Sequence, residues 1–205
     1  PSPTIGMVAG DDVVNAAEAS AGIVVTGAAE PGSTVTVSWG STSKMVTALG
    51  SGEWSAEFAA AELPPDDAAT TISATADAAG NVSPAGTRSV AIDRSVPAVT
   101  IADLLDDVAP DTGSVANGGT TDDNAPTLVL SFSEVFGAKA TVEIFRDGTS
   151  IGFAAATNST TANFTDTTAP SDGFHEYSAR MTDAAGNTSS IATRSVVIDT
   201  SVAPP

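Results

Sequence analysis

Cysteine is absent from the chain, histidine occurs once, and Lys and Arg together number 7 against 25 Asp and Glu. Without disulfides, rigidity has to come from packed cores or from bound ions. A lone His175 excludes the usual imidazole-based zinc sites, and a Ser-His-Asp triad would rest on that one residue. The net charge of −18 repels nucleic acid and anionic membrane, both of which reward positive charge. It suits cations, or simply solubility in salty surroundings. Aromatic residues make up 5% of the chain, which barely supplies an exposed patch for stacking on sugar or docking a protein. No apolar run approaches the roughly 18 residues needed to cross a bilayer, and no glycine loop has the pattern that cradles phosphate. The opening Pro1-Ser2-Pro3-Thr4-Ile5 shows no basic segment followed by an apolar one, so no signal peptide is expected there.

What is present is a block written twice. Asp77-Ala78-Ala79-Gly80-Asn81 leads to Thr87-Arg88-Ser89-Val90-Ala91-Ile92-Asp93, and Asp183-Ala184-Ala185-Gly186-Asn187 leads to Thr193-Arg194-Ser195-Val196-Val197-Ile198-Asp199. The shift is 106 positions at both ends of the block (183 − 77 and 199 − 93). Such a repeat at one register makes the chain two versions of one unit. The boundary falls at Val96-Pro97, giving domains 1–96 and 97–205. At 41% hydrophobic content the acid sits on folded modules, not on a disordered tail. The opening and Ala203-Pro204-Pro205 both read as inter-repeat linker, so the expected parent is a longer array.

Short alternating segments fill each unit. Ile23 to Gly27 is a β-branched run that stops at the turn Glu30-Pro31-Gly32. Thr34 to Trp39 and Trp54 to Phe58 alternate with period two, and Thr71 to Ala76 leads into the repeated hairpin. The alanine-rich Asn15 to Ala19 reads as one helical turn, too short to last. In the second unit Thr127–Phe132 and Ala140–Phe145 take the corresponding places, after a polar insertion over 106–124. Some seven short strands with turn signals every 8 to 12 residues predict an all-β chain of two immunoglobulin-like antiparallel β-sandwich domains in tandem. The link Asp93-Arg94-Ser95-Val96-Pro97 is too short for free rotation, so an end-to-end rod is expected.

Several of these residues carry a resemblance. Asp-Ala-Ala-Gly-Asn before the last strand, the Val-x-Ile-Asp ending, Thr26 to Gly32, Gly10 to Glu18 and Gly113 to Leu128 resemble bacterial immunoglobulin-like repeats of large type I-secreted adhesins and biofilm-associated surface proteins. The resemblance covers nearly the whole chain. It implies an extracellular, cell-surface location and a non-enzymatic role as links in a filament holding an adhesive region away from the cell. It also implies calcium at the domain junctions. Phe132-Ser133-Glu134-Val135-Phe136-Gly137 stands where the first unit has its Glu-Pro-Gly turn, a departure that weakens the parallel between Glu134 and Glu30.

Calcium takes six to eight oxygens, chiefly carboxylates and carbonyls. The sandwich order sends Asp93 to the C-terminal pole of the first unit and puts Glu134 and Asp183 in turns at the N-terminal pole of the second, so these three are expected to share a junction site. Glu30 and Asp77 would face a preceding repeat, and Asp199 a following one. A second cluster is Asp106, Asp107, Asp111, Asp122 and Asp123; Asp11 and Asp12, with Glu18, form a weaker version. The alternative for these loops is a solvated acidic surface, and for Asp77 and Asp183 a turn in which Asp bonds its own backbone, compatible with both roles. The expected partners are neighbouring repeats of the same chain and calcium ions, with no nucleic acid and no membrane insertion, the chain itself being monomeric. A carbohydrate- or host-protein-binding module is the competing reading; it needs Trp39 or Trp54 exposed, whereas their alternating strands place both in a core.

Overall fold

Alternation decides which side chains go inside. Along Thr34–Trp39, Val35, Val37 and Trp39 are fully buried, and along Glu53–Phe58 the buried set is Trp54, Ala56 and Phe58. Period-two burial of this kind is what a half-buried sheet demands. Trp39 meets Phe58 edge-on, with ring centroids 5.7 Å apart. In the computed structural model, which describes residues 1–201, the chain separates into two units, Pro1–Ser95 and a second beginning at Val96. The linker reading of Ala203-Pro204-Pro205 lies outside the described residues.

The first unit contains β1 (Thr4–Ile5), β2 (Val13–Val14), β3 (Ile23–Ala28), β4 (Thr34–Trp39), β5 (Thr42–Thr47), β6 (Glu53–Phe58), β7 (Asp67–Ala78), β8 (Asn81–Val82) and β9 (Gly86–Ile92). One sheet has the order β1-β3-β6; the other runs β2-β9-β7-β4-β5, with β8 paired to β7. Val25, Val37, Trp39, Phe58, Ile72 and Ile92 fill the space between them. The opening segment therefore serves both sheets: β1 pairs antiparallel with β3, then β2 pairs parallel with β9.

The alanine-rich patch is a short helix, α1 (Ala16–Ala21), formed although its length alone argues against it. Asn15 and Glu18 form a reciprocal capping box, each side chain accepting from the other's backbone N–H at 3.0 Å. Ala19 is buried in the core, so tertiary packing supplies what six residues cannot.

The second unit contains β10 (Val99–Asp106), β11 (Gly113–Ser114), β12 (Thr120–Thr121), β13 (Thr127–Phe136), β14 (Thr141–Arg146), β15 (Thr149–Phe153), β16 (Ser159–Thr165), β17 (Gly173–Thr182) and β18 (Ala192–Ile198). Its sheets are β11-β10-β13-β16 and β12-β18-β17-β14-β15, around a core that includes Leu104, Leu128, Leu130, Ile144, Tyr177 and Met181. The insertion is not simply a loop. β11 folds back onto β10, and β12 lies parallel to β18 with Thr121 opposite Ile198. β13 also runs through Glu134, so this carboxylate sits on a strand and not in a turn, within the irregular stretch of the pairing with β16 between Ser131 and Phe136.

Candidate cation-binding poles

The register fixes where each acid lies within its own unit. In the first, the β3 end and the β7 end share a pole, since Thr34 pairs with Asp77 at the start of β4. Glu30 is exposed there and lines a shallow cleft with Ala78, Ala79 and Asn81. Asp77 closes the hairpin turn, its Oδ1 accepting the Gly80 N–H at 2.9 Å, while Ala79 and Gly80 take φ of 54° and 84°. At the opposite pole Asp93 follows β9; its N–H donates to Val14 O at 3.0 Å and its Oδ1 accepts from Ser95 N–H.

Asp11 and Asp12 are both engaged within the first unit. Asp11 accepts the Val13 N–H two residues on. Asp12 takes Nε and Nη2 of Arg88 on its two oxygens and also accepts the Val8 N–H. The Arg88 bond, aided by Val8, holds this carboxyl below its usual range against the opposing effect of burial.

In the second unit the duplicated turn folds differently. Asp183 is buried and accepts from the N–H groups of Ala185 and Asn187 and from the Asn187 amide. Asn187 is therefore part of the aspartate's support. Glu134 lies at this same N-terminal pole, near the β13 end that follows the Val99–Phe132 pairing.

The C-terminal pole of the second unit gathers most of the acid. Asp106, Asp111, Asp122 and Asp199 line one open cleft of about 740 Å³, with Thr121 and Ser201. The parallel β12–β18 pairing causes this, because the Asp199 N–H donates to Thr121 O and so draws the final strand's aspartate to the insertion. Asp106 is buried and accepts from the Thr121 hydroxyl at 2.6 Å and the Val108 N–H at 2.8 Å. Asp123, 1% exposed, accepts from Ala125 N–H at 2.7 Å and Asp107 N–H at 3.4 Å. Burial pushes its carboxyl above the usual range, and the Asp107 and Asp106 charges push the same way. These donors are all oxygen, the kind a hard cation takes, and a cation would relieve the repulsion. Among the described residues, no three acidic side chains are already drawn together tightly enough to enclose an ion.

Six of the seven basic side chains pair with an acid of their own unit: Lys44, Arg88, Arg94, Arg146, Arg180 and Arg194 with Glu62, Asp12, Asp66, Asp166, Glu143 and Asp103. Lys139 is exposed in the turn between β13 and β14, at the pole of Glu134. The pair around Asp166 escaped the sequence reading. Asp166 is fully buried and accepts from Arg146, from the Tyr177 hydroxyl at 2.8 Å, and from the Thr168 N–H and hydroxyl. His175 is a strand residue whose ring bridges Asp147 at 2.6 Å and the Ser171 carbonyl at 2.8 Å. A carbonyl only accepts, so Nε2 carries a proton there, and the imidazole fastens the β14–β15 turn to β17. Trp39 and Trp54 are both buried, as their alternation predicts.

Two facing antiparallel sheets, a closing strand paired in parallel with the opening segment and duplication of the whole define tandem immunoglobulin-like domains. A profile of the bacterial Ig-like domain matches residues 96–200, just over half of the chain, and the chain belongs to that family. No curated protein matches it. Among solved structures, it is similar to a Ca2+-stabilized adhesin with which an Antarctic bacterium binds ice, at 22% identity and a TM-score of 0.51 over 97% of this chain and 49% of the other. It is likewise similar to a bacterial ice-binding adhesin studied for host cell surface retention, at 24% identity and a TM-score of 0.52 over 97% of this chain and 65% of the other. Fibronectin(III)-like modules of Clostridium thermocellum CbhA align over 96% of this chain and 94% of theirs, at 18% identity and a TM-score of 0.52. The chain thus spans from half to just under two thirds of the two adhesin structures, and at these identities the likeness shows the fold.

Proposed function

We propose that the chain is a structural repeat segment of a bacterial cell-surface adhesin, an extension element stiffened by calcium that presents an adhesive region for attachment or biofilm formation. The observation that carries this reading is the placement of acid at the poles, above all the cleft shared by Asp106, Asp111, Asp122 and Asp199 beside the buried Asp123. Bound calcium would supply charge neutralisation and a rigid oxygen-bridged cross-link there. Asp93, Glu134 and Asp183 remain the expected ligands where one unit follows the next, with Glu30 and Asp77 in the same role toward an earlier repeat. One structural relative, the adhesin with which an Antarctic bacterium binds ice, is Ca2+-stabilized, which supports the choice of ion.

Calcium titration by calorimetry, paired with thermal melting, tests the reading. Binding to the folded state alone raises the melting temperature by mass action. Asp123→Ala together with Asp106→Ala should remove the heat assigned to the second unit's C-terminal pole. No binding heat and an unchanged melting temperature in millimolar calcium would refute the calcium role. Scattering profiles identical in calcium and in chelator would refute the stiffening.

A further inference from the structure

The structure assigns a self-modification site to Asn117, in the insertion of the second unit: the fold holds this residue back from deamidation and releases it when the edge of the sheet opens locally. Of the seven asparagines, Asn117 alone is followed by glycine. Ring closure of an asparagine brings the next backbone nitrogen onto the side-chain carbonyl carbon, and a Cβ on that next residue stands in the way. Glycine has none. After Asn15, Asn81, Asn124, Asn158, Asn163 and Asn187 the chain has Ala, Val, Ala, Ser, Phe and Thr. The first unit has no equivalent, since Gly10-Asp11 stands at the corresponding distance before β2.

Both reacting groups are tied to one residue of the closing strand. Asn117 Oδ1 accepts the Ser195 N–H at 2.8 Å and the Ser195 hydroxyl at 3.2 Å, and the Gly118 N–H donates to the Ser195 carbonyl at 2.8 Å. A turn closed by the Gly119 N–H on Ala116 O at 2.8 Å, with Gly118 at a φ of 77°, sets this geometry. To react, the carboxamide must swing off Ser195 onto the Gly118 nitrogen, and that nitrogen must give up the proton it shares with Ser195 O. All three bonds to Ser195 are lost before the ring can form. Asn117 is itself exposed, so water and base reach it. β12 is two residues long and is the outermost strand of its sheet, so freeing it is a local event far smaller than unfolding the unit.

In the opened state the Gly118 nitrogen loses its proton to hydroxide or water and bonds to Cγ of Asn117; the bond from Cγ to the side-chain nitrogen breaks, and ammonia leaves. Water then adds to one of the two imide carbonyls, so that water enters and ammonia departs overall. One opening leaves an aspartate at this position. The other leaves an isoaspartate, whose main chain runs through Cγ and is longer by one carbon. Either product adds negative charge beside the cleft of Asp106, Asp111, Asp122 and Asp199, which Ala116 and Gly119 also line. The isoaspartate also displaces Gly118 and Gly119 from Ser195 and Val197, whose bonds lead into the β12–β18 pairing. A molecule whose insertion has opened is thereby marked permanently.

The test incubates the whole chain in chelator at mildly alkaline pH, folded, in urea below the unfolding transition, and fully unfolded, with peptides mapped by mass spectrometry. Acid in place of amide should appear at position 117 before any other asparagine, about tenfold more slowly in the folded chain than in the unfolded one. The folded-state rate should rise in urea too dilute to unfold the second unit. Ser195→Ala removes one of the three bonds and should raise the folded-state rate while leaving the unfolded rate unchanged. Asn117→Gln, whose ring would need six members, should leave this position unmodified over the same period. Asn117→Asp should keep the natural urea midpoint, whereas the isoaspartate product, separated by chromatography, should show a lower one for the second unit. Equal rates folded and unfolded, a folded-state rate indifferent to dilute urea or to Ser195→Ala, or first loss of amide elsewhere would each overturn the proposal. None of these readouts changes if the chain proves not to bind calcium.

Discussion

Arg88 and Asp12 are separated by 76 positions, yet the guanidinium of one lies across the carboxylate of the other, with Nε and Nη2 at 2.6 and 2.5 Å from the two oxygens. The contact joins the start of a unit to its end. Its counterpart joins Arg194 to Asp103 across 91 positions. Both pairs are partly open to solvent, so their weight in equilibrium stability is modest.

The buried pair in the second unit behaves otherwise. Asp166→Ala strands Arg146 and removes the acceptor of the Tyr177 hydroxyl. Breaking a buried pair in this way costs about 3 kcal/mol. Urea denaturation, resolved into separate transitions for the two units, should show the loss in the second alone.

Acid should act on the second unit in two opposite directions. Burial pushes the Asp166 carboxyl up, but bonds from Thr168 and Tyr177 and the charge of Arg146 more than reverse this, leaving it below the usual range. Its stabilising effect is therefore present above the unfolded value of about 4 and is lost as pH falls through the lowered folded value. Asp123 has a raised folded value, so ionising it costs stability, and that cost is relieved as pH falls through the raised value toward the unfolded value of about 4. In chelator, melting scans should show the second unit gaining stability as pH falls toward the unfolded carboxyl value of about 4, then losing it below that value. Calcium should abolish the first of these changes.

Gly27→Ala should be costly, although the residue lies in an ordinary strand. A Cβ there would stand 2.0 Å from the Thr4 carbonyl oxygen and 2.3 Å from Cζ2 of Trp54. Overpacking of that kind costs about 2 kcal/mol. Red-shifted tryptophan emission together with a lower urea midpoint would report the displaced indole.

Asn15→Ala removes half of the capping box on α1 and should cost the first unit about 1 kcal/mol, read from its urea midpoint. Asn15→Asp should keep the stability, since an aspartate oxygen accepts the same Glu18 N–H.

The sandwich was legible because alternation, turn chemistry and the copied block all point one way. Trp39, Trp54, Phe58 and Ile72 sit inside on period two alone. Local pattern does not report long-range pairing, and that is where the sequence reading ran short. Nothing near Asp12 announces Arg88, although an arginine kept in both closing strands was a usable signal. The insertion read as polar loop because Gly113–Ser114 and Thr120–Thr121 are too short for alternation to show. Asp199 meets Asp106 and Asp122 only through the parallel β12–β18 pairing, which spans most of the unit and leaves no local trace in the sequence. The duplicated Asp-Ala-Ala-Gly-Asn turn is the converse lesson. The same five residues give an exposed aspartate at 77 and a buried one at 183, so surroundings and not local sequence decide the outcome.

The internal engagement of Lys44, Arg88, Arg94, Arg146, Arg180 and Arg194 has an effect at larger scale. With those positive groups spoken for, what one molecule shows another is overwhelmingly anionic. Copies of the chain brought to high local concentration will hold each other apart at low ionic strength, and the spacing will shrink as the Debye length does, to roughly 3 Å in molar salt.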